Sequence, residues 1–315
     1  MSSTGRSATR SGASGWVRPI APHQDYAREV RQYAAAMRKV DPSLVLIASG
    51  LNAEWDRVLV EQGGGAFDWI SRHDYSPITQ ALTGPAAAAE FHGKAIRPRE
   101  GVLPLLREAR RALDAAGPDG RRIGIAFDEW NLWHNWFIKP FENEWHIGPI
   151  DAVFAAAQLN LLCQEAGDLR IPMAAMFEPV NEGAIRVQPF SADLTAMGQV
   201  FALYRAHHAA RLLKTDPPRG GQALDVCASL SPDRQLVNVT IVNQATAGDR
   251  AIDLILAGGR PRKATVTTLS VRDLQPDITM DRRTQEVTPR SDGRLSWILP
   301  RFGIALIQVD VDDRP

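Results

Sequence analysis

Cysteine is scarce in this chain, with two in 315 residues, Cys163 and Cys227. A disulfide scaffold is thereby excluded, and no Cys/His spacing resembles a zinc site, so no metal is expected. Cys163 falls in an apolar helical stretch and reads as a buried free thiol, with Cys227 in a different domain. Net charge is absent too, because 36 basic residues balance 36 acidic ones. That balance offers no footprint for nucleic acid or for an anionic membrane surface. No apolar run approaches the length of a membrane span. Met1 to Gly15 is made mostly of Ser, Thr, Gly, Ala and Arg, without the hydrophobic centre of a secretory signal. That stretch reads as a disordered leader, and a cytoplasmic protein is the expectation.

What is present is ordinary globular material. Hydrophobic residues make up 44% of the chain, enough for one large domain or two average ones. From residue 23 the signals alternate between helix and strand. Asp25 can cap a helix whose stripe runs Tyr26, Val30, Tyr33, Met37 and Val40, stopped by Asp41-Pro42. Leu44 to Ala48 is a short continuous apolar run, expected as a strand covered on both faces. Phe67 to His73 and Ile123 onward are further strands, with a helix within Gly101 to Ala115 ended by Gly117-Pro118. A helix opens near Pro149 and ends before Gly167, and Ile171 to Phe177 is the fourth strand. Ser191 is expected to cap a helix carrying Leu194, Met197, Phe201 and Tyr204. The pattern is βαβαβαβα, four parallel strands with helical connections. Thr215 to Gly221 reads as a linker. Short alternating strands follow, among them Leu236 to Val242, Ala251 to Leu256, Ala264 to Leu269 and Ile304 to Val309. They predict an antiparallel β-sandwich.

The run Phe127-Asp128-Glu129-Trp130-Asn131-Leu132-Trp133-His134 concentrates the chemistry. It ends an apolar strand, and the end of a strand in an α/β barrel is the catalytic rim. Adjacent strand residues point to opposite faces, so one of Asp128 and Glu129 faces a substrate. Trp130, Trp133 and Trp136 offer flat apolar faces suited to sugar rings. A plainer reading fits the same residues, namely a strand end closed by a solvated acidic pair with tryptophans in the core.

This run resembles the nucleophile segment of the family 51 glycoside hydrolases, mostly α-L-arabinofuranosidases, in which an Asp-Glu-Trp-Asn-x-Trp stretch closes a barrel strand. Other matches accompany it in the same order: Val40-Asp41-Pro42-Ser43, Ser49-Gly50, His73-Asp74-Tyr75, Asn181 and Gln188. The resemblance runs from about His23 to the C-terminus. It implies strands five to eight, the C-terminal half, of a (β/α)8 TIM barrel over residues 23–214. A β-sandwich domain over 222–315 and a disordered leader over 1–22 complete the expected organisation. It also implies Glu129 as catalytic nucleophile, with His73, Tyr75, Gln188 and Trp130 as substrate-binding residues and no metal or organic cofactor. The implied activity is retaining hydrolysis that removes terminal α-L-arabinofuranosyl residues from an arabinofuranoside-containing glycan.

One expected part is missing. A retaining glycosidase needs a second carboxyl group about 5–5.5 Å from the nucleophile. In the family it is the Glu of a Gly-Asn-Glu stretch just upstream of the helix at Asp25, where this chain has Ser14 to Pro22 without an acid. The expectation is a truncated chain lacking the acid/base Glu, its open edges covered by a missing N-terminal half or by self-association. Glu142, Glu144, Glu178 and Glu182 are weighed as substitutes, each against a solvated loop carboxylate. The competing functional class is a non-catalytic carbohydrate-binding or interaction remnant of such an enzyme.

Overall fold

A computed structural model of the chain describes residues 23–75, 93, 96–132, 147–181, 183–216, 224–245, 248–257, 261–272 and 278–311. Helix α1, His23–Val40, carries Asp25 in its first turn and Arg38 and Lys39 in its last, which suits the helix dipole. It ends where Asp41 accepts hydrogen bonds from the Ser43 amide and hydroxyl, at 2.8 and 2.6 Å. Helix α2, Ala53–Gly63, is capped by Asn52, whose side chain accepts from the Trp55 amide at 2.9 Å. The sequence pattern did not announce α2. Helix α3, Pro98–Ala115, is followed by a separate short helix α4, Gly117–Arg122. Gly117 joins them at φ 87°, a left-handed conformation open to glycine.

Strands β1 (Ile47–Ala48), β2 (Trp69–Asp74), β3 (Gly124–Trp130) and β4 (Met173–Met176) form one sheet in that order. β1 and β2 are parallel. Gly124 donates to the Asp68 carbonyl at the start of the next pair, and Asn131 donates to Asp74 at its end. β2 and β3 therefore run the same way. Ile125 to Arg170 and Phe177 to Trp130 repeat that pattern between β3 and β4. Helix α5, Pro149–Leu169, supplies the connection before β4.

Two compact units divide the chain. The first holds the described residues through Arg72 with Leu106–Phe127 and Leu169–Met173. Within it Asp56 and Arg72 form an ion pair, 0% and 6% exposed at their side chains. Burial pushes the Arg72 guanidinium down to about 10. A methyl group on Gly50 would stand 2.4 Å from the Ser71 carbonyl oxygen, so only glycine fits beside this pair. Two expectations fail in this unit. The apolar stripe of α1 is not a buried face, since Tyr33, Met37 and Val40 are exposed and Ala27 and Ala34 are the buried positions. The strand expected over Leu44 to Ala48 is short and lies at the sheet edge, with Val45 and Ile47 exposed. An edge strand has a neighbour on one side only, so it cannot be covered as an interior strand is.

The second unit holds His73–Leu105, Asp128–Asp168 and the chain from Ala174 onward. It contains α5, buried along most of its length between Ile150 and Leu162. Next comes the hairpin β5 (Ile185–Gln188) and β6 (Ser191–Leu194). Ser191 thus opens a strand rather than a helix. The helix that follows, α6 (Ala196–Tyr204), is capped by Thr195, which accepts from the Gly198 amide at 3.2 Å. A 3-10 turn, Arg205–His207, ends it.

Beyond β7 (Arg211–Leu213) the unit is β-rich: β8 (Leu224–Leu230), β9 (Leu236–Asn243), β10 (Arg250–Leu254), β11 (Ala264–Ser270), β12 (Asp281–Val287), β13 (Leu295–Leu299) and β14 (Ile304–Asp310). Six of these strands form an antiparallel sheet in the order β12-β11-β14-β9-β8-β7, and β10 pairs with β13. Val239, Ile241, Val266 and Ile307 of the larger sheet share one apolar core with Ile252, Leu295 and Leu299 of the smaller. Burying each such side chain contributes roughly 1.5–3 kcal/mol. β12 is exposed along nearly all of its length and carries Asp281, Arg282, Arg283 and Glu286, charges that discourage edge-to-edge pairing.

Candidate active site

The described site is assembled where β2, β3 and β4 end, within the second unit. β2 delivers His73 and, one residue past its end, Tyr75. β3 delivers Asp128, Glu129 and Trp130. Phe177 follows β4. The ends are tied by Asn131, which is fully buried. Its amide N–H donates to Asp74 O at 3.2 Å, its side-chain N–H to Phe177 O at 2.7 Å, and its Oδ1 accepts from the Leu132 amide at 2.8 Å. One asparagine thus holds three segments in register, a use of its donor and acceptor inventory that an apolar residue could not copy.

Glu129 is the focus of this arrangement. The Tyr75 hydroxyl donates to Glu129 Oε2 at 2.5 Å, a short charge-assisted geometry. His73 Nδ1 lies 3.4 Å from the same oxygen, and His73 Nε2 lies 3.5 Å from Asp128 Oδ1. Both carboxylates therefore reach one imidazole. The two acids stand 26% and 28% exposed at their side chains, so solvent and a solute can reach them. Oε1 of Glu129 has no partner among the described contacts. Tyr75 is itself braced edge-on by Phe177, with ring centroids 6.1 Å apart and planes at 86°. The hydroxyl is fixed by the rings and the carboxylate is fixed by the hydroxyl.

The other expected site residues sit differently. Trp130 is 2% exposed and packs between Phe154, at 6.0 Å, and Phe201, at 6.1 Å. It is a core tryptophan beneath the site rather than an open platform, as the plainer reading of the sequence had it. Gln188 ends β5, exposed and paired with Ser191 across the hairpin, and it is not among the described contacts of Glu129. Asn181 accepts from the Val187 amide at 2.7 Å and sets the geometry of that hairpin. Glu178 is exposed. Trp133, Trp136, Glu142, Glu144 and Glu182 lie outside the described residues. The sequence pattern did not single out Asn131 or Phe177. Asn131 stands inside the Asp-Glu-Trp-Asn run, so a buried asparagine at a strand end was the available signal. Among the described residues no group of three or more His, Cys, Asp or Glu could hold a metal ion, and no helix is long and apolar enough to cross a membrane.

An acidic residue held by a tyrosine and a histidine at the ends of neighbouring strands is the constellation that comparison with known proteins must explain. No protein-family model matches the chain. A probable α-L-arabinofuranosidase C of Aspergillus terreus is 25% identical over 324 residues, covering 90% of this chain and 60% of that protein. An intracellular exo-α-(1→5)-L-arabinofuranosidase of Streptomyces lividans is 24% identical over 181 residues, covering 50% of this chain and 25% of that protein. The chain's relatives are α-L-arabinofuranosidases. Its fold is theirs as well. The family 51 α-L-arabinofuranosidase of Thermotoga petrophila superposes with a TM-score of 0.76 at 21% identity, over 94% of this chain and 64% of that one. The chain thus spans less than two thirds of the arabinofuranosidases it matches.

Proposed function

We propose that this chain carries the nucleophile half of a retaining α-L-arabinofuranosidase site, with Glu129 as nucleophile. The observation that carries the reading is the 2.5 Å hydrogen bond from Tyr75 to Glu129, made at the strand ends of a fold shared with arabinofuranosidases. Glu129 Oε1 would attack the anomeric carbon of a terminal α-L-arabinofuranosyl unit and expel the glycan oxygen, forming a glycosyl ester that water then cleaves. Tyr75 holds the other carboxylate oxygen and keeps the attacking one free. His73, between Glu129 and Asp128, orients the carboxylate and meets a sugar hydroxyl. Gln188 contributes from the hairpin, and Trp130 supports the site from its buried position. The acid/base comes from a carboxyl group outside the described residues.

The same reading takes β1 to β4 as strands five to eight of a (β/α)8 barrel over 23–214, and the β-rich region over 222–315 as a β-sandwich. In the first unit the exposed Val45 and Ile47 of the edge strand and the exposed Tyr33, Met37 and Val40 of α1 support a further partner there. That partner is an N-terminal half of the barrel or a second copy of the chain. A cytoplasmic location accords with the relative named intracellular.

Hydrolysis of an aryl α-L-arabinofuranoside by the purified chain tests the reading, with Glu129→Ala as the control. An aryl leaving group needs little protonation, so it reports on the nucleophile even without an acid/base. Turnover or a burst that disappears in Glu129→Ala is expected. Folded protein that binds arabinofuranosides but shows neither would establish the alternative, a non-catalytic carbohydrate-binding remnant.

A further inference from the structure

Strand β8 has two unlike faces. Leu224, Val226, Ala228 and Leu230 turn to the apolar core of the β-rich region. By alternation Asp225, Cys227 and Ser229 turn the other way. Asp225 accepts from Arg99 Nε at 2.6 Å, and Ser229 Oγ lies 2.7 Å from His207 Nδ1. Cys227 stands between them, paired in the ladder with Thr240.

Helix α5 approaches that same face. Asn160 Oδ1 accepts from Thr240 Oγ1 at 2.6 Å, and Gln164 Nε2 donates to Val226 O at 2.5 Å. Positions 160, 163 and 164 share one side of a helix. Cys163 is therefore carried to the face of β8 on which Cys227 lies. Cys163 is exposed and Cys227 is buried, and both are free. The sequence reading of Cys163 as a buried thiol in a different domain from Cys227 is corrected here: Cys163 is exposed, and both cysteines lie in one compact unit.

We propose that Cys163 and Cys227 form a modification site, a thiol pair that a low-molecular-weight disulfide converts to an intrachain bridge between α5 and β8. The neighbouring Cys227 thiol holds the Cys163 pKa below its ordinary value, so the exposed sulfur is the one favoured as thiolate. Cys163 attacks one sulfur of the small disulfide, forming a mixed disulfide and releasing the first small thiolate. Cys227 then loses its proton to solvent and attacks the Cys163 sulfur, releasing the second. Two protein thiols are oxidised by two electrons, and the reagent is reduced to two thiols.

The test exposes the full chain to oxidised glutathione, blocks residual thiols and maps peptides by mass spectrometry, with Cys163→Ser as the control. The free-thiol count should fall from two to none with the loss of two hydrogens. The Cys163 and Cys227 peptides should appear linked in one monomer. Bridging should be roughly tenfold or more faster in native chain than in denaturant, because the fold supplies the proximity. The thermal midpoint of the oxidised chain should rise by roughly 5 °C or more, and Cys163→Ser should show no rise. A lasting glutathione adduct on Cys163 with Cys227 free would overturn the proposal. So would a cross-linked dimer, or bridging no faster in native than in denatured chain.

Discussion

His207 makes the stability of the unit that holds it pH-dependent. Its ring closes the 3-10 turn after α6, with Nδ1 on Ser229 Oγ and Nε2 buried without a hydrogen-bond partner. Burial disfavours the imidazolium and pushes the pKa down to about 4 from 6.5. The unfolded chain takes up this proton near pH 6.5, whereas the folded chain does so only near pH 4. Between those values the unfolded state binds more protons, so stability falls as pH is lowered and levels off below about 4. The whole gap is worth about 3 kcal/mol, of which about 2.5 kcal/mol is lost between about pH 7 and about pH 4.5. Asp41 and Asp233 are held low by hydrogen bonds from Ser43 and Ser231, and they titrate beneath this window. Urea unfolding of the chain and of His207→Gln at the two pH values measures the effect. The variant should lose most of the difference between them. If His207→Gln shows the full fall in stability, the imidazole is not the group responsible and the argument from burial is wrong.

Two further perturbations test packing. Asp56→Ala leaves Arg72 buried without its counter-charge and should cost about 3–5 kcal/mol in urea unfolding. Replacing both residues by Leu and Met should cost clearly less than the single change, since the charge then leaves with its partner. Gly198→Ala places a methyl group 2.0 Å from the Ala184 carbonyl oxygen. Because that atom is backbone, the variant should lose about 3 kcal/mol and melt several degrees lower, whereas Gly167→Ala, whose methyl group would meet nothing within 4 Å among the described residues beyond its own helical turn, should be neutral or slightly stabilising.

The elements legible in the sequence were those whose pattern is set locally. Alternation placed β9, β11 and β14 to within a residue or so, and the Asp41-Pro42 stop marked the end of α1. The acidic strand end in β3 and the His-x-Tyr of β2 were joined through the family resemblance, and the parallel order of β2 and β3 brings their ends to one side. What escaped depends on contacts that sequence spacing does not carry. The stripe on α1 looks like a core face by periodicity, yet nothing among the described residues covers Tyr33 or Val40. Ser191 has the chemistry of a helix cap but pairs in a hairpin, leaving Thr195 to do the capping. Asn131 reads as one more polar residue after a strand until its three hydrogen bonds are seen. Cys163 and Cys227 are far apart in the chain, and only the packing of α5 on β8 and β9 makes them neighbours.

Strand β9 is buried at every position after Leu236. Val237, Val239 and Ile241 enter the apolar core, while Asn238 donates to Ala206 O and Thr240 to Asn160 on the other side. A strand gripped on two faces by unlike chemistry cannot open by fraying on one of them. Its amides should therefore exchange with deuterium only when the whole unit opens, and natural variation should pass over β9 while accumulating in β12.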